Sequence, residues 1–473
     1  MLSFRPAECV SDTVAADADL VVLDLDRDTI RAEGDAALSY QTLSLHADRI
    51  VADQQTGRIE ATGNLSVSQQ GRRLQGEMLE YNARTDEGVL TKARVSEQGI
   101  IISGEKIEFS PQRLVAHHAY FTTCDRPDPH YSLSANRISL TAEQPTGGGP
   151  PQSGQLTLDR ARLTYHHRPL FTIPTYSVAV SRLREPRASP FPVTGFSRDD
   201  GPFASLSYTL GKPQAKTLGE FSYRYTTFRG IRGHLRLRHN LGSAELFAGY
   251  IRREDVADEE LHPDQIEYAS RSVLVNRAPE YGIRLPELAL GRSLKLRGEW
   301  LRGTYSERYS RVVETRARAG RDSLSLLLST ASYSPAPGLT LSHAIGWRHS
   351  RYSGTDQAAA DDLTVRFLRH SLALSPSPGT QLSLSYITRR GSGASPFLFD
   401  DVGLGRELLA DASYRLNPLW RLRVQEVYDL TNRRLQDIDL AVTRTAHCLD
   451  YTFGWRKSRG SFFLGIGLVP ATG

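Results

Sequence analysis

The chain is 473 residues long, 39% hydrophobic and 23% charged, and no run approaches the ~18 apolar residues of a spanning helix, which excludes a helical membrane bundle. Its 58 basic and 53 acidic residues leave a formal charge of +5; they are interspersed and form no basic block, which argues against a nucleic-acid surface although only six of the 58 are lysine. Single cores stop growing near ~250–300 residues, so more than one domain is expected.

Residues 1–19 form an N-terminal segment in which MLSFRPAECV lacks the roughly 7–15-residue apolar core of a secretory signal peptide. The export argued below makes a leader absent from this sequence the expectation. From 20 to 145 one pattern recurs: LHADRI at 45–50, LQGEML at 74–79, ISGEKI at 102–107 and LSANRI at 133–138, spaced by 29, 28 and 31 residues. Turn signals separate the copies, among them QTG at 55–57 and TDEG at 85–88, so each unit reads as a strand pair. The odd step between apolar positions requires a face switch at a bulge or corner around the small residue, as a jelly roll needs. Leu45, Leu74, Ile102 and Leu133 then either line an apolar lipid groove between separated sheets or fill a packed β-solenoid core.

A Gly/Pro-rich linker covers 146–160, and from 161 to 473 the texture changes to alternating segments of about ten residues, long enough for a tilted strand to cross a bilayer. Leu339, Leu341, Ile345 and Trp347 share one face against Thr340, Ser342, Gly346 and Arg348; Leu294, Leu296 and Trp300 oppose Lys295, Arg297 and Glu299. A soluble sandwich alternates in the same way, but Trp300, Tyr333, Trp347, Trp420 and Tyr428 fall near segment ends, as interfacial girdles do. The expected fold is all-β: a jelly roll followed by a transmembrane antiparallel barrel of about 16 strands, within 14–18. The last segment, LGIGL at 464–468, must pair with the first barrel strand to close it.

Enzyme signatures are missing: there is no GxSxG, CxxC or P-loop, and neither an enzymatic role nor a cofactor is expected. The adjacent pairs His117-His118 and His166-His167 would point to opposite faces of a strand, so no metal site is assigned. Asp199-Asp200 and Asp400-Asp401 read as loop carboxylates, with divalent-cation binding near lipid phosphates as the alternative.

The stretch TTCDRPDPHYSLSANRISL at 122–140, then RPLFTIP at 168–174 and RTAHCLDY at 444–451, resembles the lipopolysaccharide-assembly outer-membrane family LptD, also called OstA or organic-solvent-tolerance protein. The resemblance implies a periplasmic jelly roll that receives lipopolysaccharide from a bridge of similar jelly rolls, and a barrel plugged by a lipoprotein that releases the lipid sideways between its first and last strands. In that scheme Pro169 and Pro174 stand on the first barrel strand as the lateral gate, with Pro186, Pro190 and Pro192 just beyond, each removing a ladder donor. It also implies a disulfide between the domains, Cys124–Cys448 or Cys9–Cys448. The family carries an adjacent cysteine pair where only Cys448 stands here, so at most one such bond forms, stabilising by at most ~5–6 kcal/mol in the chain-entropy account. Two other readings remain: a porin with a periplasmic adaptor, and a β-barrel enzyme.

Overall fold

The computed structural model describes residues 15–40, 43–69, 72–97, 99–143, 153–185, 189–211, 215–255, 273–291, 293–309, 314–354, 362–400, 405–457 and 460–470. Among these there are strands and short 3-10 turns and no α-helix. Two compact units emerge: residues 1–184 with 468–473, and residues 185–467.

The first unit is a twelve-stranded antiparallel sheet: β1 (Ala15–Asp17), β2 (Leu20–Asp24), β3 (Thr29–Tyr40), β4 (Leu43–Asp53), β5 (Arg58–Gln69), β6 (Arg72–Asn82), β7 (Glu87–Glu97), β8 (Ile100–Phe109), β9 (Arg113–Thr122), β10 (Tyr131–Glu143), β11 (Ser153–Tyr165) and β12 (Arg168–Ala179). From β3 onward each strand pairs with the next in sequence, and β1 and β2 both pair with β3. The corners fall at Ala47 and Gly76 of the repeat and, on the strands paired with them, at Gly34 and Gly63. Register shifts separate Glu33 from Ala36, His46 from Arg49 and Thr62 from Leu65, and Gly34 and Gly63 there have φ of 81° and 77°. At Gly63 a Cβ would collide with the Asp48 carboxylate, which accepts the Asn64 amide at 3.0 Å. These corners fold the sheet over an interior in which Leu45, Leu74, Leu79, Leu90, Ile107 and Ile138 are fully buried, each burial stabilising by about 1.5–3 kcal/mol.

The second unit is a closed antiparallel barrel: β13 (Val193–Ser197), β14 (Gly201–Leu210), β15 (Thr217–Thr226), β16 (Gly230–Asn240), β17 (Glu245–Asp255), β18 (Val273–Leu290), β19 (Leu294–Tyr309), β20 (Ala317–Thr330), β21 (Tyr333–Ala336), β22 (Leu339–Ser353), β23 (Asp362–Ser377), β24 (Thr380–Gly393), β25 (Arg406–Asn417), β26 (Trp420–Asp429), β27 (Arg434–Ala446), β28 (Leu449–Arg456) and β29 (Ser461–Leu468). β20 pairs directly with β22 and β21 is a four-residue strand at their turn, leaving sixteen wall strands. Connections at one end are long (256–272, 310–316, 354–361, 394–405) and at the other short (241–244, 378–379, 418–419, 447–448), the asymmetry of outer-membrane barrels. Registered neighbours place Leu326, Trp347 and Arg366 on one face and Leu327, Gly346 and Phe367 on the other. The outward face carries the exposed aliphatics, Ile345 and Leu384 among them.

The domain boundary moves. The barrel begins at Val193, not at 161, because β11 continues the first sheet through eleven pairs with β10, from Tyr131↔Tyr165 to Glu143↔Ser153. Residues 153–160, expected as linker, are strand; 144–152 lie outside the described residues. Pro169 and Pro174 therefore stand on β12, the last strand of the first sheet, and not on the first barrel strand. An edge strand tolerates proline because its missing N–H has no ladder partner to lose, and alternation alone does not separate such a strand from a barrel wall.

Candidate functional site

Ring closure rests on β13, which is five residues long. It meets β29 through three residue pairs only, Thr194↔Leu464, Gly195↔Phe463 and Phe196↔Phe462, against eight between β14 and β15 and fourteen between β18 and β19. Pro190 and Pro192 precede β13, and Pro202 faces Phe196 from β14; none of the three can donate a ladder hydrogen bond. Each backbone group unpaired in hydrocarbon costs several kcal/mol (roughly 2–7), so parting this three-pair ladder costs less than parting the eight-pair or fourteen-pair one.

Gly195 fits because it has no side chain. A Cβ there would overlap the Phe462 carbonyl oxygen and the Phe203 ring. Outside, Phe196, Phe462 and Leu464 are exposed, and Phe453 stacks on Phe462 at 5.8 Å. Gly195→Ala is expected to widen or shift the seam and destabilise the barrel by about 1–3 kcal/mol, read as a lower temperature of conversion from the folded to the unfolded band on heated gels. An unchanged conversion temperature would contradict the close packing assigned to this position.

Inside the barrel, at the end bearing the long connections, residues 394–400 fold into the lumen. Asp400 is 1% exposed; it binds Arg321 at 2.7 Å and Arg348 at 3.2 Å and accepts the Tyr352 hydroxyl at 2.8 Å. Glu307 accepts the backbone N–H groups of Leu398 and Phe399 at 3.0 Å each and binds Arg316 at 2.8 Å, which donates to the Pro396 carbonyl at 2.8 Å. Phe397 and Phe399 pack on Tyr305 within an apolar cluster that includes Val275, Tyr352 and Val365. Both carboxylates carry full sets of partners, so the segment is a fixed constriction. The loop carboxylate Asp200 is likewise buried, held by Arg229 at 3.2 Å and by Arg232, and Asp199 lies 3.3 Å from Arg229. Asp401 lies outside the described residues.

On the first unit, Leu45, Leu74, Ile102 and Leu133 are fully buried. An open cleft of about 670 Å3 lies at a different place, lined by Tyr81, Val89, Phe109 and Val115 beneath a charged rim of Asp53, Arg58, Glu80 and Glu108. Tyr81 and Phe109 stack at 6.1 Å. The Lys106 ammonium, 2.7 Å from Glu108, holds that carboxyl below the ordinary carboxylate range. Cys124 is buried in the segment after β9, its N–H bonded to the Thr122 hydroxyl at 3.1 Å and its sulfur 3.5 Å from His130 Nδ1. Cys448 is buried in the β27–β28 turn. Cys9 and Pro186 lie outside the described residues. His166 and His167 form the β11–β12 turn with φ of 43° and 62°, and His118 has φ of 45°, so these are not extended strand pairs.

A folded-over antiparallel sheet and a sixteen-stranded closed barrel in one chain define an all-β architecture, a β-barrel protein with an N-terminal sheet domain. Residues 15–113 match the family model described as LptA/(LptD N-terminal domain) LPS transport protein. LptH of Pseudomonas aeruginosa, an LptA-homologous periplasmic component of the lipopolysaccharide transport device, is 19% identical over 21% of this chain and 76% of its own, with a TM-score of 0.20. A mutant porin of Rh. blastica is 9% identical over 59% of this chain and 97% of its own, with a TM-score of 0.32. No curated protein matches the chain.

Proposed function

We propose that the chain is the outer-membrane translocon of lipopolysaccharide. The N-terminal sheet lies in the periplasm and takes the lipid from a jelly-roll bridge protein of the transport system. The barrel passes the lipid into the outer leaflet by parting β13 from β29. The observation that carries this is the three-pair seam in a chain whose residues 15–113 match a lipopolysaccharide-transport family model; a general porin needs no such weak closure. The gate thus shifts from Pro169 and Pro174 to the strand that follows Pro190 and Pro192. With residues 394–400 filling the lumen at the long-connection end, a plug lipoprotein would occupy the lumen from the opposite end. A disulfide from Cys124 or Cys9 to Cys448 belongs to the same proposal; it rests on the resemblance and would show as a mobility shift on reduction that Cys448→Ser abolishes.

A photo-crosslinkable residue at position 74 or 102 tests the lipid path. Both sites are sealed from water, so lipopolysaccharide reaches them only if the folded-over sheet opens along its interior. Energy-dependent lipopolysaccharide adducts are expected. Adducts from the cleft position 109 but none from 74 or 102 would place the acyl chains in the cleft and make the interior a dry core.

A further inference from the structure

We propose that the outward face of strands β19–β25, at the end bearing the long connections, binds the phosphate groups of anionic lipids in the surrounding outer leaflet. Six arginines form the patch: Arg302, Arg318, Arg351, Arg366, Arg390 and Arg406, all exposed. Register fixes their direction. Arg302↔Asp322↔Arg351↔Asp362 run across four neighbouring strands, Arg366 faces both Trp347 and Arg390, and Arg406 faces Thr388. All share the face of the exposed Leu324, Leu326 and Ile345.

Their height follows from the strands. Trp300 and Trp347 lie on the same face, two residues from Arg302 and four from Arg351 on their own strands, while Leu294, Leu296, Leu372, Leu382 and Leu384 occupy it toward the short-turn end. An aromatic girdle marks the boundary of the hydrocarbon layer, and groups just beyond it meet lipid headgroups.

Charge supplies the occupant. Inward arginines are matched by carboxylates, as Arg321 by Asp400, Arg389 by Glu407 and Arg277 by Glu280. Among the described residues none of the six outward arginines has an ion-pair partner, and of the two acids interspersed with them, Asp322 accepts the Trp300 indole N–H at 2.9 Å. Arg366 and Arg390 are directly opposed, an arrangement that repels unless an anion lies between the two guanidiniums. Guanidinium forks match phosphate oxygens bidentately. A row spanning six wall strands on a convex wall suits many small headgroups rather than one compact partner.

This inference rests on the barrel spanning the outer membrane with the long connections outermost. The test uses the full chain in nanodiscs of phosphatidylcholine doped with bisphosphorylated lipid A or with the same glycolipid stripped of phosphate, and retained lipid is measured by native mass spectrometry. Preferential retention of the phosphorylated form is expected, weakened in 0.5 M salt. It should fall roughly tenfold or more in Arg366→Gln/Arg390→Gln, with Arg302→Gln/Arg351→Gln as an independent second pair. Equal retention of both glycolipids, or variants that retain lipid like the parent, overturns the inference while leaving the translocon reading intact. A folded barrel that does not enter the bilayer overturns both.

Discussion

Cells whose only copy carries Thr194→Cys and Leu464→Cys are expected to stop delivering lipopolysaccharide to their surface, and to stop growing, once the two cysteines are oxidised. Thr194 and Leu464 are directly paired across the seam. Both are exposed on the outward side. Directly opposed residues of an antiparallel ladder have Cα atoms roughly 4.5–5.5 Å apart, inside the range a disulfide spans without strain. A covalent link adds nothing to the folded wall except a bar to its parting, so a loss of transport isolates opening from folding. Each single variant, and the double variant under reductant, should support growth. A second staple between outward residues of a long ladder, Leu206→Cys with Tyr223→Cys on β14 and β15, should be tolerated. Normal growth with the seam bond quantitatively formed would remove the lateral gate from the proposal.

Asp400→Ala is expected to release residues 394–400 from the lumen and raise ion conductance through the barrel in planar bilayers. The substitution leaves Arg321 and Arg348, 1% and 3% exposed, without the carboxylate that lies between them. Removing one carboxylate partner from buried guanidiniums costs up to about 3–5 kcal/mol, against which the segment retains Glu307 and the packing of Phe397 and Phe399 on Tyr305. The segment should therefore swing outward, because that lets water reach both guanidiniums. Asp400→Asn, which can still accept from Tyr352, should give an intermediate conductance. Unchanged conductance in the alanine variant would mean that the apolar anchors alone hold the constriction.

Sheet faces were legible in the sequence because their cause is local. Leu339, Leu341, Ile345 and Trp347 share a face by two-residue periodicity alone, and the structure keeps them on the outward side. The corners of the first sheet were legible for a similar reason: an odd step between apolar positions forces a face switch, and the register shifts fall there. The start of the barrel was not. A strand of five residues carries too few alternations to announce itself, whereas the prolines of β12 looked like a disrupted seam and instead mark a sheet edge. The luminal constriction was equally hidden, since Asp400 meets an arginine 79 residues away in the chain and nothing in its own neighbourhood shows that it is buried.

The three-pair seam also fixes the order in which the barrel assembles. Thr194 and Leu464 are about 270 residues apart, whereas most other wall ladders join strands adjacent in sequence. Each adjacent hairpin closes a short loop and forms early. Joining the two ends costs a further chain-closure entropy of about 5 kcal/mol if the intervening chain is unstructured, and little once the preformed wall curves its ends together. The seam is then the last contact made, and an open curved sheet complete except for β13 against β29 is the state just before it. Under the proposed lateral release, transport would revisit that state, and a folding intermediate and a working conformation would be one and the same arrangement of strands.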